Sequence, residues 1–432
     1  MKIASLSPEQ APPIGVPLRF FAVAPVFLAL AGLLLATGDG NPFANPHSAA
    51  LLAATHCITL GFMAMVMVGA IQQVVPVIIG SQIPAPRYIA WLTMLPLLAG
   101  ALLLTSGFAL GRPELLNFSW SLLGAAFLIF ICASLYSLAR ATAKNPTKTA
   151  ILLAVLSLAA AVTLGMLLAR GYATGLAIPY ARLATAHISL ALGGWVLLLI
   201  IGVSYQVVPM FQLTPNYPKW LTDYLTPAIF AALLSSLVPL LFESAPSWPG
   251  IVAETLFWAL ACCYAAVTLK LQSQRRRRVP DATLSFFRLG MISLLIAASF
   301  SLGSLLPTIY GDHLRMLSVL AFLLGFAVTV MLGMLYKIIP FLVWFHLFRG
   351  GANPANIRIP NMKEIIPEQW MWWHLKLHAT TLLAALLATW WDIAAWLVIA
   401  GLLLQGILLG YAIVTGISVF RDTRRRIEQA ST

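Results

Sequence analysis

The sequence predicts an all-α integral membrane protein with about twelve transmembrane helices. The chain of 432 residues is 60% hydrophobic and only 9% charged, and its mean hydropathy is +0.91. A water-soluble protein of this length needs far more charged side chains to cover its surface. Apolar runs long enough to cross a bilayer follow one another instead. The predicted spans are residues 18–37, 49–80, 88–108, 117–139, 147–170, 180–211, 219–242, 247–271, 283–307, 314–346, 370–391 and 392–418.

A pattern of two glycines and one proline occurs three times and predicts three repeats of a four-helix unit in pseudo-three-fold arrangement. In each copy the second glycine follows the first by 8 residues, and the proline follows after a further 7. The copies lie 133 and 131 residues apart. One transmembrane domain, 18–418, is therefore expected to contain units near 18–139, 147–271 and 283–418. The pattern residues are Gly61, Gly69, Pro76, Gly194, Gly202, Pro209, Gly325, Gly333 and Pro340.

These glycines belong to the second helix of each unit. Because glycine has no side chain, we expect close helix packing at Gly61, Gly69, Gly194 and Gly202. In a three-fold arrangement the three second helices should approach the centre of the bundle.

Lys and Arg residues are distributed unequally between the two sides of the predicted bundle. With the amino terminus in the cytoplasm, 20 of the 26 lie on inner segments. Both termini are therefore predicted to be cytoplasmic, as tails at 1–17 (disordered) and 419–432 (basic), in a bacterial inner membrane. We interpret Arg275–Arg278 as a topology signal rather than a surface for nucleic acid or anionic lipid, so the expected partner is the lipid bilayer. The outer loops hold only Arg112, Arg170, Arg182 and Arg315.

Three histidines lie near the predicted outer ends of the second helices: His56, His187 and His313. An ionisable group at membrane depth is costly and commonly functional. If the three helices meet at the centre, these imidazoles can face one pocket and hold a haem. The alternative is three separate histidines, each bonded to water or backbone. His47, in the preceding loop, is expected to be a solvated surface residue.

A second group of histidines lies on the predicted inner side. His374 and His378 are spaced i, i+4 on one helix face beside a tryptophan belt, and His346 precedes them. This spacing can chelate a metal ion. The alternative is a pair of interfacial side chains. Glu254, a carboxylate within the eighth span, is interpreted as a helix-packing hydrogen bond.

The motifs resemble those of subunit I of the haem-copper oxidases. The helix-6 pattern resembles the haem-ligating second helix of C-type oxidases and nitric oxide reductases; its residues are His187, Gly194, Trp195, Gly202, Tyr205 and Pro209. The resemblance implies a b-type haem held by histidines of helices 2 and 10, for which His56 and His313 are the candidates. It also implies copper held by helices 6 and 7.

The chain departs from that pattern in ways that bear on activity. Helix 7 contains no histidine, so the paired copper ligands are missing and oxygen or nitric oxide reduction is doubtful. The chain is more similar to the NnrS family of haem- and copper-binding membrane proteins linked to nitric oxide stress. It differs there too, because helix 2 contains THCITLG where that family has a His-x-His-Glu-Met run.

Two classes of function follow. The first is a haem-binding membrane protein with a redox or nitric-oxide-stress role, in which copper is also possible and other respiratory or redox subunits are candidate partners. The second is a twelve-helix transporter without a redox cofactor. The three-fold repeat and the scarcity of midplane charges favour the first.

Overall fold

The structure, a computed structural model, describes residues 8–38, 40–141, 145–242, 246–276, 279–307, 309–349 and 357–430. These residues form helices joined by short loops, and no β-strand occurs among them. Eleven helices in this part of the chain are long and apolar enough to cross a membrane. The predicted class, an all-α membrane protein, is therefore confirmed.

Twelve long helices follow one another along the chain, and proline residues or side-chain caps mark most of their starts. Seven of them carry proline within the first two positions or just before them, where the ring's fixed φ suits a helix start. Side chains cap three helices: Ser48 accepts from the Leu51 amide, Asn145 from the Thr147 amide, and Asp281 from the Thr283 and Leu284 amides. The helices are α1 (Gly15–Leu35), α2 (Ala49–Ile79), α3 (Pro86–Ala109), α4 (Pro113–Arg140), α5 (Pro146–Thr174), α6 (Tyr180–Gln212), α7 (Lys219–Leu241), α8 (Trp248–Ser273), α9 (Ala282–Ser304), α10 (Gly311–Arg349), α11 (Glu368–Leu387) and α12 (Asp392–Gln429).

Helix α11 corresponds to the predicted span 370–391, and it is the one long helix of the twelve that is not apolar enough to be counted among the eleven. It is a regular helix of 20 residues, but Glu368, His374, Lys376 and His378 lower its hydropathy. It packs against α9, α10 and α12. His374 and His378 are buried against these neighbours, whereas Glu368 and Lys376 are exposed.

The helix ends differ from the predicted tails. Helix α1 begins at Gly15, inside the predicted tail 1–17, and residues 1–7 lie outside the described part of the chain. Helix α12 continues for 38 residues to Gln429, so most of the predicted basic tail is helical. Arg277 and Arg278 also lie outside the described residues.

Helices α2, α6 and α10 form the interior of the bundle. Their most apolar segments are 78%, 67% and 89% buried, whereas those of the other apolar helices are 33–56% buried. Each of the three also widens into a π-helical segment that contains the first glycine of the repeat pattern. Such segments are rare and frequently mark functional sites. They are Cys57–Ala64, Ser189–Leu197 and Ala321–Val328.

The second glycine of each pattern lies directly against the first helix of its unit. A Cβ added at Gly69 would lie 2.9 Å from Phe20 Cβ, and one at Gly333 would lie 2.6 Å from Phe286 Cβ. At Gly202 it would lie 2.3 Å from Ala150 Cβ, and the Thr147 hydroxyl donates to the Gly202 carbonyl at 2.8 Å. The predicted close packing at the glycines is confirmed.

Contacts between successive four-helix groups close the bundle. Helix α4 packs against α5, and α8 packs against α9. The last helix, α12, packs against α1, where Gly32 lies close to the Ile399 carbonyl. The chain therefore returns to its beginning, with α2, α6 and α10 inside.

Candidate functional site

The structure brings His56 and His187 together at the end of the bundle where α2 and α6 begin. Each lies about two turns into its helix, and the π-helical segment begins directly after His56 and two residues after His187. The two imidazoles lie within electrostatic range of each other, without a hydrogen bond or ring contact between them among the described residues. The two members of the predicted three-histidine set that come from α2 and α6 are therefore neighbours.

One ring nitrogen of each histidine is fixed by a backbone carbonyl. His56 Nδ1 lies 2.8 Å from the Leu52 carbonyl of its own helix, and His187 Nδ1 lies 2.8 Å from the Ala161 carbonyl of α5. Since a carbonyl only accepts, Nδ1 carries the proton in both rings. Each Nε2 then presents a lone pair, and neither Nε2 has a hydrogen-bond partner among the described residues. Imidazoles that bind a metal have this arrangement.

Aromatic side chains and one glycine surround the His56–His187 pair. The Phe108 ring lies 5.5 Å from the His56 ring and 5.8 Å from that of Tyr172, measured between centroids. Gly165 of α5 makes room for the other imidazole, because a Cβ there would lie 2.9 Å from His187 Cε1. The pair therefore lies in a mainly apolar wall built from α2, α3, α5 and α6.

The structure places His313 elsewhere. Its Nε2 lies 3.4 Å from the Thr389 hydroxyl, and its ring lies 4.3 Å from the Trp390 ring at the end of α11. Among the described residues no hydrogen bond or ring contact links it to His56 or His187. His313, the third predicted ligand, therefore lies away from the His56–His187 pair.

His346 is separate from His374 and His378. Both of its ring nitrogens face backbone carbonyls, with Nδ1 2.9 Å from Leu342 O and Nε2 3.1 Å from Pro12 O. Within the described residues no group of three His, Cys, Asp or Glu side chains is arranged to hold a metal ion. The structure therefore does not assemble the three residues proposed for an inner metal site.

His374 and His378 are buried inside the bundle, with 0% and 2% of their surface exposed, so both face protein neighbours. His374 Nδ1 is hydrogen-bonded to the Tyr336 hydroxyl at 2.8 Å, and its Nε2 is buried without a partner in the described structure. His378 Nδ1 donates to Gln405 Oε1 at 2.6 Å, and its Nε2 lies 2.7 Å from the Thr329 hydroxyl. A polar network thus joins α10, α11 and α12.

The sequence did not predict three members of this network: Tyr336, Gln405 and Thr329. A signal existed for the first, because Tyr336 follows Gly333 by the spacing at which Tyr205 follows Gly202. Tyr205 also lies in a polar aromatic group, with its ring 5.4 Å from that of Tyr217. Gln405 could have been noticed as a lone amide in the apolar run of α12.

Glu254 is hydrogen-bonded to a serine of the next helix. The Ser301 hydroxyl donates to Glu254 Oε1 at 3.1 Å across α8 and α9, which confirms the interpretation of Glu254 as a helix-packing residue.

Clefts of about 450 Å³ and about 430 Å³ lie at other places on the surface, one beside Arg288 and one beside Trp248. Neither contains His56 or His187.

No protein-family model matches this chain, and no curated protein matches it in sequence. The resemblance to haem-copper oxidases and to the NnrS family therefore rests on the motifs of α2, α6 and α10.

Proposed function

We propose that this protein binds a b-type haem through His56 and His187 and serves a redox or nitric-oxide-stress role in the membrane. The observation that carries the proposal is the pair of Nε2 atoms without partners, at the same end of α2 and α6, with both Nδ1 atoms fixed by carbonyls. Two neutral imidazoles are a donor set that haem iron accepts. They also suit copper, which is the second candidate for the site.

We further propose that the twelve helices form three four-helix units around a pseudo-three-fold axis, as in subunit I of the haem-copper oxidases. The π-helical segments at corresponding places in α2, α6 and α10 support this arrangement. The contacts of the three glycines with α1, α5 and α9 support it as well. The charge bias supports an inner-membrane location with cytoplasmic termini, where redox subunits are candidate partners.

The residues of the pair have separate tasks in this proposal. The carbonyls of Leu52 and Ala161 orient the rings, and their hydrogen bonds increase the basicity of each Nε2. Phe108 lies against the His56 ring and must turn aside to admit a macrocycle. A bound haem would supply a one-electron redox couple. Since α7 contains no histidine, we expect no sustained reduction of oxygen or nitric oxide.

The test is to purify the protein and measure the dithionite-reduced absorption spectrum together with iron and copper per chain. We expect a b-type haem spectrum in the parent and loss of most haem in His56→Ala and in His187→Ala. His47→Ala is the matched control, because His47 is exposed in the loop before α2. His313→Ala should also retain haem, since His313 contacts Trp390 instead.

Each other outcome has a definite meaning. Copper without haem, lost in the same two variants, identifies the pair as a copper site. Loss of haem in His313→Ala shows that the ligand set is the one expected from the oxidase resemblance. A parent protein with neither haem nor copper, or full haem in both His56→Ala and His187→Ala, contradicts the proposal. That result leaves the transporter as the better hypothesis.

A further inference from the structure

A polar cleft of about 450 Å³ lies where α8 ends and α9 begins, with Trp372 of α11 on its rim. Its volume is in the range of sites that hold small molecules or headgroups. The charged residues in its wall are Arg275, Arg288 and Asp281. It lies at the ends of membrane helices, beside an interfacial tryptophan, which is the level of lipid headgroups.

The carboxylate in the cleft is already neutralised. Asp281 Oδ2 lies 3.0 Å from Lys337 Nζ, and Oδ1 caps α9 by accepting from the Thr283 amide and hydroxyl. Burial alone would raise the pKa of Asp281, but the Thr283 hydrogen bond and the Lys337 charge hold that pKa below its ordinary value. Asp281 is therefore ionised and paired, and it leaves the two arginine charges uncompensated.

Neither arginine has a carboxylate partner among the described residues. The Arg275 guanidinium donates to the Val279 carbonyl, and Arg288 Nη2 donates to the Gln272 carbonyl at 3.2 Å. Arg288 is exposed although it lies inside α9, about 9 Å beyond the helix start at 1.5 Å per residue. A guanidinium at that depth is stable only if an anion or water reaches it.

Gln272 adds an independent sign that the cleft takes a ligand. Its side chain has 0% exposed surface and lines the cleft. The Nε2 atom donates to Gln212 Oε1 at 2.9 Å, while Oε1 is buried without a partner in the described structure. A buried acceptor without a donor is costly, so a group that brings a hydroxyl or an ammonium is favoured here.

We propose that this cleft binds the phosphate of a phospholipid headgroup, with Arg275 and Arg288 as the phosphate contacts. Arginine's planar fork matches two phosphate oxygens, and basic clefts between helix ends are typical sites for anionic lipids. The chemistry would be shared by free phosphate, and the experiment separates the two sources.

The experiment uses the full chain in a neutral detergent. Phosphatidylglycerol, phosphatidylcholine or inorganic phosphate is titrated, and bound lipid is counted by native mass spectrometry alongside the thermal midpoint. We expect phosphatidylglycerol to bind and to raise the midpoint, and phosphatidylcholine to do so much less. Loss of one charge-assisted contact should weaken binding about tenfold or more in Arg288→Gln and in Arg275→Gln. Arg424→Gln is the control, because Arg424 is paired with Glu428 on α12.

The alternatives are distinguishable. Stabilisation by inorganic phosphate but not by phosphatidylglycerol shows that the cleft takes the free anion and overturns the lipid source. Equal binding of phosphatidylglycerol to the parent, Arg288→Gln and Arg275→Gln overturns the site itself. The thermal midpoint without added lipid serves as the fold check. If Arg288→Gln has a midpoint well below that of the parent, Arg288→Lys replaces it. This variant keeps the charge but not the planar fork, so it should bind phosphatidylglycerol less tightly than the parent, and binding equal to that of the parent overturns the assignment of Arg288.

Discussion

The contact between Gly202 and Ala150 allows a compensating exchange of one methyl group between α6 and α5. A Cβ added at Gly202 would lie 2.3 Å from Ala150 Cβ, but its next neighbours, Ala150 Cα and the Thr147 carbonyl, are at 3.6 Å and 3.7 Å. The Ala150 methyl group is therefore the only atom that a Cβ at position 202 would approach closer than 3.6 Å. Moving it from Ala150 to position 202 should restore the fit.

The magnitudes follow from steric overlap and helix propensity. Gly202→Ala overpacks the interface at a cost near 3 kcal/mol, the upper end of the usual range, and regains about 1 kcal/mol of helix propensity. The net loss of stability should be about 2 kcal/mol. Ala150→Gly should cost about 1 kcal/mol from propensity. In the double variant the clash is gone and the two propensity effects cancel, so we expect a change of about 0 kcal/mol.

The assay is unfolding of the purified protein by sodium dodecyl sulfate in mixed micelles, followed by tryptophan fluorescence. The double-mutant cycle should give a favourable interaction energy of about 3 kcal/mol. Gly410→Ala is the matched control, because a Cβ there meets only Pro25 Cβ at 3.7 Å and should be neutral or slightly stabilising. A double variant no more stable than Gly202→Ala, or a Gly202→Ala as stable as Gly410→Ala, would refute this account of the α5–α6 contact.

Three further outcomes are expected. Tyr336→Phe removes the partner of His374 Nδ1 and should lower the free energy of unfolding by about 1–3 kcal/mol in the same assay; no change would show that this bond does not stabilise the fold. The pKa of Asp281 is lower in the folded protein than its ordinary 3.8, so its contribution is present above that value and is lost as the pH falls through the folded pKa. Asp281→Asn should therefore abolish that part of the acid-induced loss in pH-dependent unfolding, and an unchanged acid profile would assign the loss to other groups. A reporter fused after Thr432 should be cytoplasmic, because Lys and Arg accumulate on the inner segments, and a periplasmic signal would reverse the orientation.

The sequence alone determined the helical class, the approximate span limits and the places of closest helix contact. Apolar composition leaves few alternatives to membrane helices, since each backbone amide must be satisfied within its own segment. The glycine spacing also predicted the places of closest helix contact. A residue without a side chain at matched positions of three helices marks where another backbone approaches, as the structure shows at Gly69, Gly202 and Gly333.

The partners of the histidines were decided only by the tertiary structure. His56, His187 and His313 all lie near the starts of their helices, but the direction in which each ring points depends on helix rotation and on which neighbour packs there. The π-helical segments shift that rotation further, and their positions are not evident from composition. His56 and His187 consequently lie within electrostatic range of each other, while His313 lies against Trp390.

The same reason explains why α11 could be placed along the chain but its polar residues could not be paired. The i, i+4 spacing put His374 and His378 on one face, and that much was determined by the sequence. That this face lies against Tyr336 and Gln405, rather than in the membrane interface with His346, depends on contacts between helices far apart along the chain. Local periodicity fixes which side chains share a face, whereas only the packing of the whole bundle fixes what that face contacts.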